Sequence, residues 1–529
     1  MPTDCVTYQE SGYFSKIIVD YLNQNPNLKP FYNHFPNIDN FAAQMSEKSL
    51  NYNYEHRKIL VEELEKQYKN IVTSEFTLKN IQLLNNSNTY TITTGHQLNL
   101  FTGPLYFLYK IISTINLCKE LKAKYPENNF VPIYWMATED HDFDEINYFN
   151  FKSKKIRWSK KSSGPVGRLD TNGLQEVYKV FEKELGFGDN ANYLKKIFQE
   201  AYLKNDTLAD ATRHLANSLF KTYGLVILDA DNRALKKTFI PYIANELTQQ
   251  QSFAKVTETI NGLHEYDIQV NPREINLFYI EDDLRERIVI EEGNYKINNT
   301  KISFTENEIL GELNNFPEKF SPNVIMRPLY QEVILPNLCY IGGGGDIAYW
   351  LELQSMFSIN NTTFPILLLR NSVLLATEKQ FNKADKLDLR WHDLFKTQQE
   401  LIKNQTINKS DINIDFSSQK QKLNTQFQEL HEIAKKTDKS FVGAVAAQEK
   451  KQIKGLENLE KRLLKAQKRV LKDFLTRTTD LQNQLFPNQL LQERQLNFSE
   501  LYLEFGELLI KKIFEKLKPL NNEFDIVLL

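Results

Sequence analysis

Two segments of the chain combine residue types that can hold a charged ligand and move a proton. The first is Thr93-Thr94-Gly95-His96-Gln97, which is followed by a second glycine, Gly103. Glycine lets backbone N–H groups approach a ligand closely, and a helix that begins behind such a turn favours an anion. We therefore select Gly95, His96, Gln97 and Gly103 as site candidates, the alternative being a plain glycine turn with a hydrogen-bonded histidine.

The second segment, Glu139-Asp140-His141-Asp142-Phe143-Asp144-Glu145, places five acids and one histidine in seven residues. Crowded carboxylates repel one another, so we expect some of their pKa values to rise towards the range of a general base. They could also hold an ammonium group or a divalent cation, and a solvated acidic loop is the alternative. We select Asp140, His141 and Asp142 as catalytic candidates, assign no metal site, and expect Asp144 and Glu145 to cap the next segment.

Two further segments could bind anionic groups. Arg327, in residues 321–331, offers a bidentate fork to a carboxylate or phosphate, and a structural salt bridge is the alternative. The glycine run 342–345 precedes a predicted helix at 347–357 with Asp346 as its N-cap, and it predicts an anion cradle or, alternatively, a tight turn. It is not a P-loop, because the Lys-Ser/Thr ending is absent. The substrate-binding candidates of these two segments are Asn323, Arg327, Tyr330, Gly342, Gly343, Gly345 and Asp346.

The first two segments follow strands of one predicted parallel sheet. Residues 89–94 and 130–137 are β-branched or apolar runs, and residues 105–124 between them have a broad apolar helical face. Strand, helix and strand in about 48 residues is the length of one βαβ crossover. Ligands bind outside the carboxyl ends of such strands, so both segments are expected at one edge. Further strands are predicted at 224–229, 323–327, 339–341 and 364–370.

The chain is predicted to divide into four parts. A helical region, 1–88, packs on an α/β core, 89–375, which carries a small antiparallel insertion near 264–320; a helical arm, 376–486, is followed by a return to the core, 487–529. In the return, Glu493, Arg494 and Asn497 could reach the site or merely fasten the terminal helix.

Heptad spacing in the arm predicts a coiled coil of two antiparallel helices of about 30–40 residues each, with a break at Gly443. Residues 416–485 carry 15 lysines and arginines against 8 aspartates and glutamates, a net charge of +7. We interpret this as a solvated basic face, the alternative being a partner surface. The seam residues are Leu423, Phe427, Leu430, Ala434, Leu456, Leu459, Leu463, Ala466 and Val470.

Composition excludes several classes of protein. An apolar fraction of 41% supports a sizeable core, and a formal net charge of -2 argues against bulk nucleic-acid binding. No apolar run approaches the ~20 residues of a membrane helix, and the N-terminal residues do not read as a secretory signal. Cys5, Cys118 and Cys339 cannot form a disulfide framework or a Cys-based zinc site. We expect a soluble cytoplasmic protein without a membrane or nucleic-acid partner.

Four long motifs spanning roughly residues 90–505 resemble the BshC family, the cysteine-adding enzymes of bacillithiol biosynthesis. They are TGHQLNLFTGPLY, YWMATEDHDFDEIN, SPNVIMRPLYQEVILPNLCYIGGGGDIAYW and PNQLLQERQLNF. The resemblance implies an α/β protein with a Rossmann-like nucleotidyltransferase-type core, inserted connecting elements and a C-terminal α-helical coiled coil that supports a homodimer. It also implies a ligase that joins the carboxyl group of L-cysteine to the amine of glucosaminyl malate. Family members tend to carry Gln where His96 stands, which favours Gln97, Asp140, His141 and Asp142 over His96.

The implied reaction needs an activated donor, because a free carboxylate is a poor acyl donor. The residues assign no cofactor, and the resemblance leaves room for an adenine nucleotide, ATP or ADP with Mg²⁺. Residues 93–96 also resemble the Thr-x-Gly-His element of nucleotidyl transferases, although the synthetase Lys-Met-Ser-Lys-Ser motif is missing. The alternatives are a nucleotidyl transferase or synthetase-like adenylating enzyme with another acceptor, and a coiled-coil scaffold.

Overall fold

The computed structural model describes residues 6–529, so Cys5 lies outside the described residues. At its centre is a sheet of five parallel strands: β1 (Thr89–His96), β2 (Asn129–Met136), β3 (Val226–Asp229), β4 (Asn337–Gly342) and β5 (Ile366–Leu369). Their spatial order is β5-β4-β1-β2-β3. Read from the other edge this is 3-2-1-4-5, the Rossmann order, which reverses its direction between β1 and β4.

The predicted strands of this sheet are confirmed, with bounds that move by at most two residues. β1 and β2 are buried along nearly their whole length, as expected of parallel strands covered on both faces. The helix predicted between them is α1 (Tyr106–Lys124), which completes the crossover. The Rossmann-like class is therefore confirmed, whereas the nucleotidyltransferase-type detail and the domain limits stay predictions.

One predicted strand is wrong. Residues 323–327 lead into a helix, α2 (Met326–Ile334), after the short strand Phe320–Pro322. The side-chain oxygen of Asn323 accepts hydrogen bonds from the N–H groups of Ile325 and Met326 at 2.9 and 3.2 Å, and so caps the helix start. Asn323 was the stronger local signal, because its side chain supplies hydrogen-bond partners for the N–H groups at the start of the helix. In a strand those N–H groups would need a neighbouring strand as partner.

The helix after the glycine run also differs from its prediction. It begins earlier, as α3 (Gly344–Leu351), and a separate helix, Gln354–Ile359, follows. Asp346 is not the N-cap but the third residue of α3, where its carboxylate accepts a hydrogen bond from the N–H of Gly343 at 2.9 Å. The glycines thus form the first turn of a helix, with its N–H groups directed at the sheet edge.

Two further sheets and a hairpin surround the core. The predicted insertion forms a five-stranded antiparallel sheet in the order Ser303–Phe304, Asn294–Ile297, Leu284–Glu291, Leu277–Glu281, Phe320–Pro322. A three-stranded sheet in the order Val6–Thr7, Glu523–Leu528, Val373–Ala376 joins both ends of the described chain to the residues just after β5. The hairpin strands are Tyr148–Phe151 and Lys154–Arg157.

Most of the helices before α2 fall into three groups along the chain. Before β1 they are Tyr8–Ser11, Lys16–Leu22, Phe41–Asn51, Glu55–Tyr68 and Glu75–Leu83. Between β2 and β3 they are Phe143–Ile146, Leu174–Leu185, Asp189–Tyr202 and Leu208–Phe220. Between β3 and α2 they are Arg233–Lys237, Ile240–Gln249, Gln251–Gly262 and Glu306–Asn315. Short 3-10 turns are Pro26–Phe31, Ile38–Asn40, Leu100–Thr102, Val166–Arg168, Lys221–Tyr223, Pro317–Lys319 and Pro487–Gln489.

The arm contains the predicted antiparallel pair. It is built from α4 (Ser417–Ala434), α5 (Lys439–Val470) and α6 (Lys472–Leu485). The ion pair Lys420–Glu460 at 2.7 Å and the hydrogen bond between the His431 ring and the Glu449 carboxylate at 2.9 Å set the antiparallel register of α4 on α5. The other helices of the C-terminal part are Glu378–Lys386, Trp391–Phe395, Gln398–Lys409, Gln492–Gln495, Phe498–Phe505 and Glu507–Lys516.

The break predicted at Gly443 is wrong, because Gly443 lies inside α5. The turn between the helices is at residues 435–438, where the carboxylate of Asp438 accepts hydrogen bonds from Ser440 and Phe441 and caps α5. As a result α4 has only 18 residues, shorter than predicted. Its buried contact with α5 is small and consists of Phe427, Ala434 and Val445 with Leu423 beside them.

Within residues 6–529 the structure has no helix that is both long and apolar enough to cross a membrane. Cys118 and Cys339 are buried free thiols, and burial raises the pKa of both well above the usual value for a thiol.

Candidate active site

A cavity of about 320 Å³, here called the switch-point cavity, opens at the carboxyl ends of β1 and β4. This is where the strand order reverses, the place where open parallel sheets bind ligands. β1 and the residue after it contribute Gly95, His96 and Gln97, and the N-cap and first turn of α3 contribute Gly343, Gly344, Gly345 and Asp346. The sheet thus brings together the first and the fourth of the sequence-predicted segments, which are some 250 residues apart in the chain.

Four cationic side chains and one acid line the switch-point cavity: Lys110, Arg327, Arg370, Arg494 and Asp346. The ammonium of Lys110 lies 2.6 Å from the Asp346 carboxylate and donates to the carbonyl of Gly95 at 3.0 Å. Burial opposes ionisation of Asp346, but the charge and hydrogen bond of Lys110 outweigh burial and hold the Asp346 pKa below its usual value. Burial lowers the Lys110 pKa, and Asp346 offsets part of that effect. The cavity therefore keeps an excess of positive charge suited to an anionic ligand.

Two guanidinium groups in the switch-point cavity are held by neighbours and keep free N–H groups. Arg327 donates to the hydroxyl of Tyr349 at 2.9 Å and to the amide oxygen of Gln331 at 3.1 Å. Arg370 is 4% exposed and pairs with the buried carboxylate of Glu493 at 2.7 Å, but its Nε atom has no partner among the described residues. An unpartnered N–H in a buried guanidinium is costly, so a ligand that accepts from it gains affinity.

His96 lies in the switch-point cavity as a neutral group. Its ring packs against Tyr106 and Phe107 with centroids 5.4 and 5.2 Å away, and its Nε2 atom has no hydrogen-bond partner among the described residues. Burial, followed by the nearby charge of Lys110, lowers the His96 pKa to about 3. The imidazole can give or accept one hydrogen bond at neutral pH, and it is too weak a base to remove a proton efficiently.

Gln97 connects the first segment to the acidic segment. Its amide nitrogen donates to the carboxylates of Asp140 at 2.9 Å and Glu145 at 3.0 Å. The two carboxylates are therefore held near each other by a residue that lines the cavity. The expectation that Asp144 and Glu145 cap the next segment is not met, because Asp144 pairs with Arg157 at 2.6 Å and Glu145 reaches Gln97.

His141 and Asp142 lie at the exposed end of the acidic segment. The ring Nδ1 atom of His141 contacts a guanidinium nitrogen of Arg285, which comes from the antiparallel insertion. Arg285 is also 4.0 Å from the Asp140 carboxylate. Asp140, His141 and Asp142 have ligand atoms within 4.8 Å of one another, the spacing of a metal site, but Arg285 already supplies positive charge to this cluster.

The expected rise in pKa within the acidic segment is found at Glu139. Burial raises the Glu139 pKa, the charge of Lys236 at 2.6 Å opposes that rise, and Asp231 adds to it. Glu139 does not line the switch-point cavity, so this shift belongs to a buried ion cluster at the ends of β2 and β3.

Several predicted site residues stabilise the structure around the switch-point cavity and do not line it. Tyr330 is buried and donates to the carbonyl of Ala230 at 2.9 Å, and Gly342 accepts from the N–H of Arg370 at 2.8 Å. Asn497 donates to the carbonyls of Phe101 and Gly103 at 2.7 and 2.6 Å and so fastens the turn after β1. Phe101 and Thr102 have φ of 49° and 70°, a strained conformation for non-glycine residues that such fastening stabilises.

Sequence reasoning missed Lys110, Arg370, Glu145 and Arg285. Lys110 could have been predicted from the sequence, since it is a single charge within the apolar face of α1. A charge that is buried on such a face requires a partner. Arg370 is tied to Glu493, more than a hundred residues away, and neither residue alone indicates the pair. Glu145 and Arg285 are recognisable only after the insertion and the hairpin have folded against the sheet.

A second cavity of about 300 Å³, here called the side cavity, adjoins the first. The two share Gln97, Tyr106 and Arg494 as a common wall. The side cavity also takes in Gly103, so the predicted residue Gly103 lines this compartment and not the first. Of the predicted residues, Gly95, His96, Gln97, Arg327, Gly343, Gly345, Asp346 and Arg494 line the switch-point cavity, with Asp140 bonded to its wall.

Comparison with known proteins gives two matching family models. Residues 1–371 match "Bacillithiol biosynthesis BshC, N-terminal Rossmann-like domain", and residues 373–529 match "Bacillithiol biosynthesis BshC, C-terminal coiled-coil domain". Similar curated proteins are each named "Putative cysteine ligase BshC". They come from Flavobacterium johnsoniae (65% identity, 100% of both chains), Cytophaga hutchinsonii (38%, 97% of this chain and 96% of the relative) and Bacillus mycoides (29%, 94% and 95%).

Proposed function

The chain belongs to the BshC family of bacillithiol biosynthesis, and from this membership we propose that it is a ligase that joins the carboxyl group of L-cysteine to the amine of glucosaminyl malate. The product is an amide, so the amine nitrogen forms a bond to the carbonyl carbon while a carboxyl oxygen leaves with its activating group. The reaction requires a site for an anionic substrate, a group that takes a proton from the amine, and an activated donor.

The cationic lining of the switch-point cavity carries this proposal. Malate presents two carboxylates, and Arg327, Arg370 and the N-terminal turn of α3 offer N–H groups on several sides of one cavity. Charge-assisted hydrogen bonds from guanidinium groups to carboxylates are among the strong ones in proteins. In this arrangement the unpartnered Nε of Arg370 and Nε2 of His96 gain partners from the substrate.

Asp140 is the group best placed to take the proton of the amine. Its carboxylate is half-buried and is oriented by the amide of Gln97, which lines the switch-point cavity. His141 is less suited to this role, because a guanidinium can only donate, and the contact with Arg285 therefore uses the lone pair of Nδ1. Asp142 is exposed and can assist in holding the ammonium form of the amine.

An adenine nucleotide with Mg²⁺ is the activating group that we propose, and when bound it would supply the phosphoryl chemistry that makes the cysteine carboxyl an acyl donor. The groups of this chain that fit a phosphate are Lys110 and the N–H groups at the first turn of α3, with Arg327 and Arg370 left to the malate carboxylates. Those groups bind and orient the phosphate, and Asp140 accepts the proton of the amine.

We further propose a cytoplasmic location and a homodimer formed through the arm.

The test is mass spectrometry of the purified protein after reaction with L-cysteine and glucosaminyl malate, with and without ATP and Mg²⁺. We expect the amide product only when ATP is present. Product without ATP would overturn the nucleotide part and would mean that another activated donor is used.

Two other outcomes would contradict the substrate assignment. Absence of product in every condition would overturn the assignment of free L-cysteine as the donor. Pyrophosphate release with ATP and an acceptor other than glucosaminyl malate would favour a synthetase-like adenylating enzyme.

A further inference from the structure

The side cavity has the lining of a site for a zwitterion. Glu145 and Arg494 give it one negative and one positive side chain, and amide side chains from Gln97, Asn99 and Gln495 lie among them. Its volume of about 300 Å³ suits a small amino acid together with some water. The apolar part of the wall includes Phe149 and Pro104, which could receive a short side chain without hydrogen-bonding groups.

Arg494 is distinctive because its guanidinium makes no hydrogen bond or ion pair that the structure records among residues 6–529. The other two arginines of the switch-point cavity are held by Tyr349 and by Glu493, but Arg494 stands unpaired in the wall shared by both cavities. An unpaired guanidinium next to a cavity is a ready carboxylate site, since two parallel N–H groups match the two carboxylate oxygens.

Glu145 lines the side cavity and does not line the switch-point cavity. The amide nitrogen of Gln97 donates both to Asp140 and to Glu145. Gln97 therefore keeps next to each other two carboxylates that could each hold an amino group. The amide oxygen of Asn99 is buried and has no partner among the described residues, so it adds a further acceptor to this wall.

We propose that the side cavity is the compartment for the α-amino acid donor, with Arg494 holding its carboxylate and Glu145 its ammonium group. The reacting carboxylate then lies in the shared wall, within reach of an amine held near Asp140 in the switch-point cavity. This inference rests on the proposed function, because it assigns the second substrate of that reaction. It also gives a role to Gln97 and Arg494, two of the residues in the wall that the cavities share.

The test is calorimetric binding of three thiols to the full-length protein in the presence of glucosaminyl malate: L-cysteine, N-acetyl-L-cysteine, which lacks the ammonium group, and cysteamine, which lacks the carboxylate. We expect the wild-type protein to bind L-cysteine at least tenfold more tightly than either analogue. Glu145→Gln should abolish the preference over N-acetyl-L-cysteine, and Arg494→Gln should abolish the preference over cysteamine. Glu429→Gln and Arg462→Gln, exposed positions on the arm, are the matched controls and should change neither preference.

The outcomes separate this inference from the proposed function. If L-cysteine binds and is converted to product while both variants keep both preferences, the compartment is wrong and the reaction stands. If another α-amino acid binds in place of cysteine with the same dependence on Glu145 and Arg494, the compartment stands and the cysteine assignment fails. Failure of every α-amino acid to bind would overturn the inference. Because each preference compares ligands on one folded variant, a loss of stability cannot imitate the expected result.

Discussion

Lys110 and Asp346 form an ion pair across the point where the strand order reverses, with 2.6 Å between the ammonium nitrogen and the carboxylate oxygen. Lys110 comes from α1, which follows β1, and Asp346 from α3, which follows β4. The pair therefore fixes the two helices that form opposite walls of the switch-point cavity. Both side chains are largely buried, and each would be left as an uncompensated charge without the other.

Lys110→Met should lower the free energy of unfolding by about 3 kcal/mol, because it leaves the Asp346 carboxylate buried without its partner. Urea unfolding provides the measurement. The double variant with Asp346→Asn should recover part of the loss, since no charge then remains unpaired. Lys16→Met, which breaks the exposed pair with Asp20, is the control and should change stability by less than about 1 kcal/mol. Equal losses in the two single lysine variants would contradict this account.

Asp140→Asn should lower kcat by about a hundredfold, because the amide cannot accept the proton of the amine. The asparagine still accepts the hydrogen bond from Gln97, so KM and the melting temperature should change little. Steady-state kinetics of product formation checks this. Asp142→Asn is the matched variant and should lower kcat less than Asp140→Asn does, because Asp142 is exposed and has no contact with Gln97. A larger loss at Asp142 than at Asp140 would move the base to Asp142.

His96 should remain neutral across the pH range in which the protein is active. Its pKa of about 3 lies below the usual value of 6.5, so the unfolded chain binds a proton at this residue where the folded protein does not. The contribution of His96 to stability is therefore present above pH 6.5 and is lost as the pH falls towards 3.

Nuclear magnetic resonance of histidine-labelled protein measures this directly. Of the eight histidines in the sequence, the one whose signal disappears in His96→Gln should show no change between pH 5 and pH 9. A titration of that signal near pH 6.5 would contradict a buried, neutral His96.

Glu352 should make the protein less stable as the pH rises from about 4.5 to 7. Burial raises its pKa to about 7, while the backbone N–H groups of Gln269 and Val270, which donate to it, offset part of that effect. Because the folded pKa lies above the unfolded value, the contribution is present below pH 4.5 and is lost as the pH rises through 7. The loss of unfolding free energy between pH 5 and pH 8, measured by urea unfolding, should be about 2 kcal/mol smaller in Glu352→Gln than in the wild-type protein. Glu429→Gln, on the exposed face of the arm, should leave the slope unchanged.

The tip of the arm should be where two copies meet. Leu430, Ile433, Phe441 and Val442 are 41, 55, 45 and 37% exposed on either side of the turn at 435–438. Ile433→Glu combined with Phe441→Glu should convert a dimer to a monomer in analytical ultracentrifugation, because the charges would be buried unpaired in the contact. Lys450→Glu, on the polar face of the same helix, should leave the dimer intact. A wild-type monomer at micromolar concentration would contradict the proposed homodimer.

The sequence predicts the parts of the fold whose signal is local. β1, β2 and α1 were found because parallel strands are continuous apolar runs and the crossover helix has an apolar face. The strand expected at 323–327 was wrong because a single capping asparagine, Asn323, outweighs the β-branched run after it. The break expected at Gly443 was wrong for the same reason, since Asp438 is the stronger signal.

The residues of the candidate site likewise divide into those that a local sequence pattern predicts and those that it does not. Gly95, Gln97, Arg327 and Asp346 were found because glycine turns and single arginines stand out in the chain. Arg370 and the side cavity were not predicted. The return of residues 487–529 to the core was expected, with Glu493 and Arg494 among the residues that could reach the site, but no local pattern pairs Glu493 with Arg370 or places Arg494 in a cavity with Glu145. Contacts between residues so distant in sequence are decided by how the whole chain packs, and not by a pattern in either segment.

The three-stranded sheet at the end of the chain has a consequence for synthesis on the ribosome. Val6 pairs with Phe524, and Val373 pairs with Asp525, so the strand Glu523–Leu528 occupies the middle position between an early and a late segment. During translation the strand Val6–Thr7 cannot pair until the strand Glu523–Leu528 has left the exit tunnel. The sheet can therefore close only after this strand has been made, and until then Val6 and Val373, which are buried in the folded protein, lack the strand that covers them.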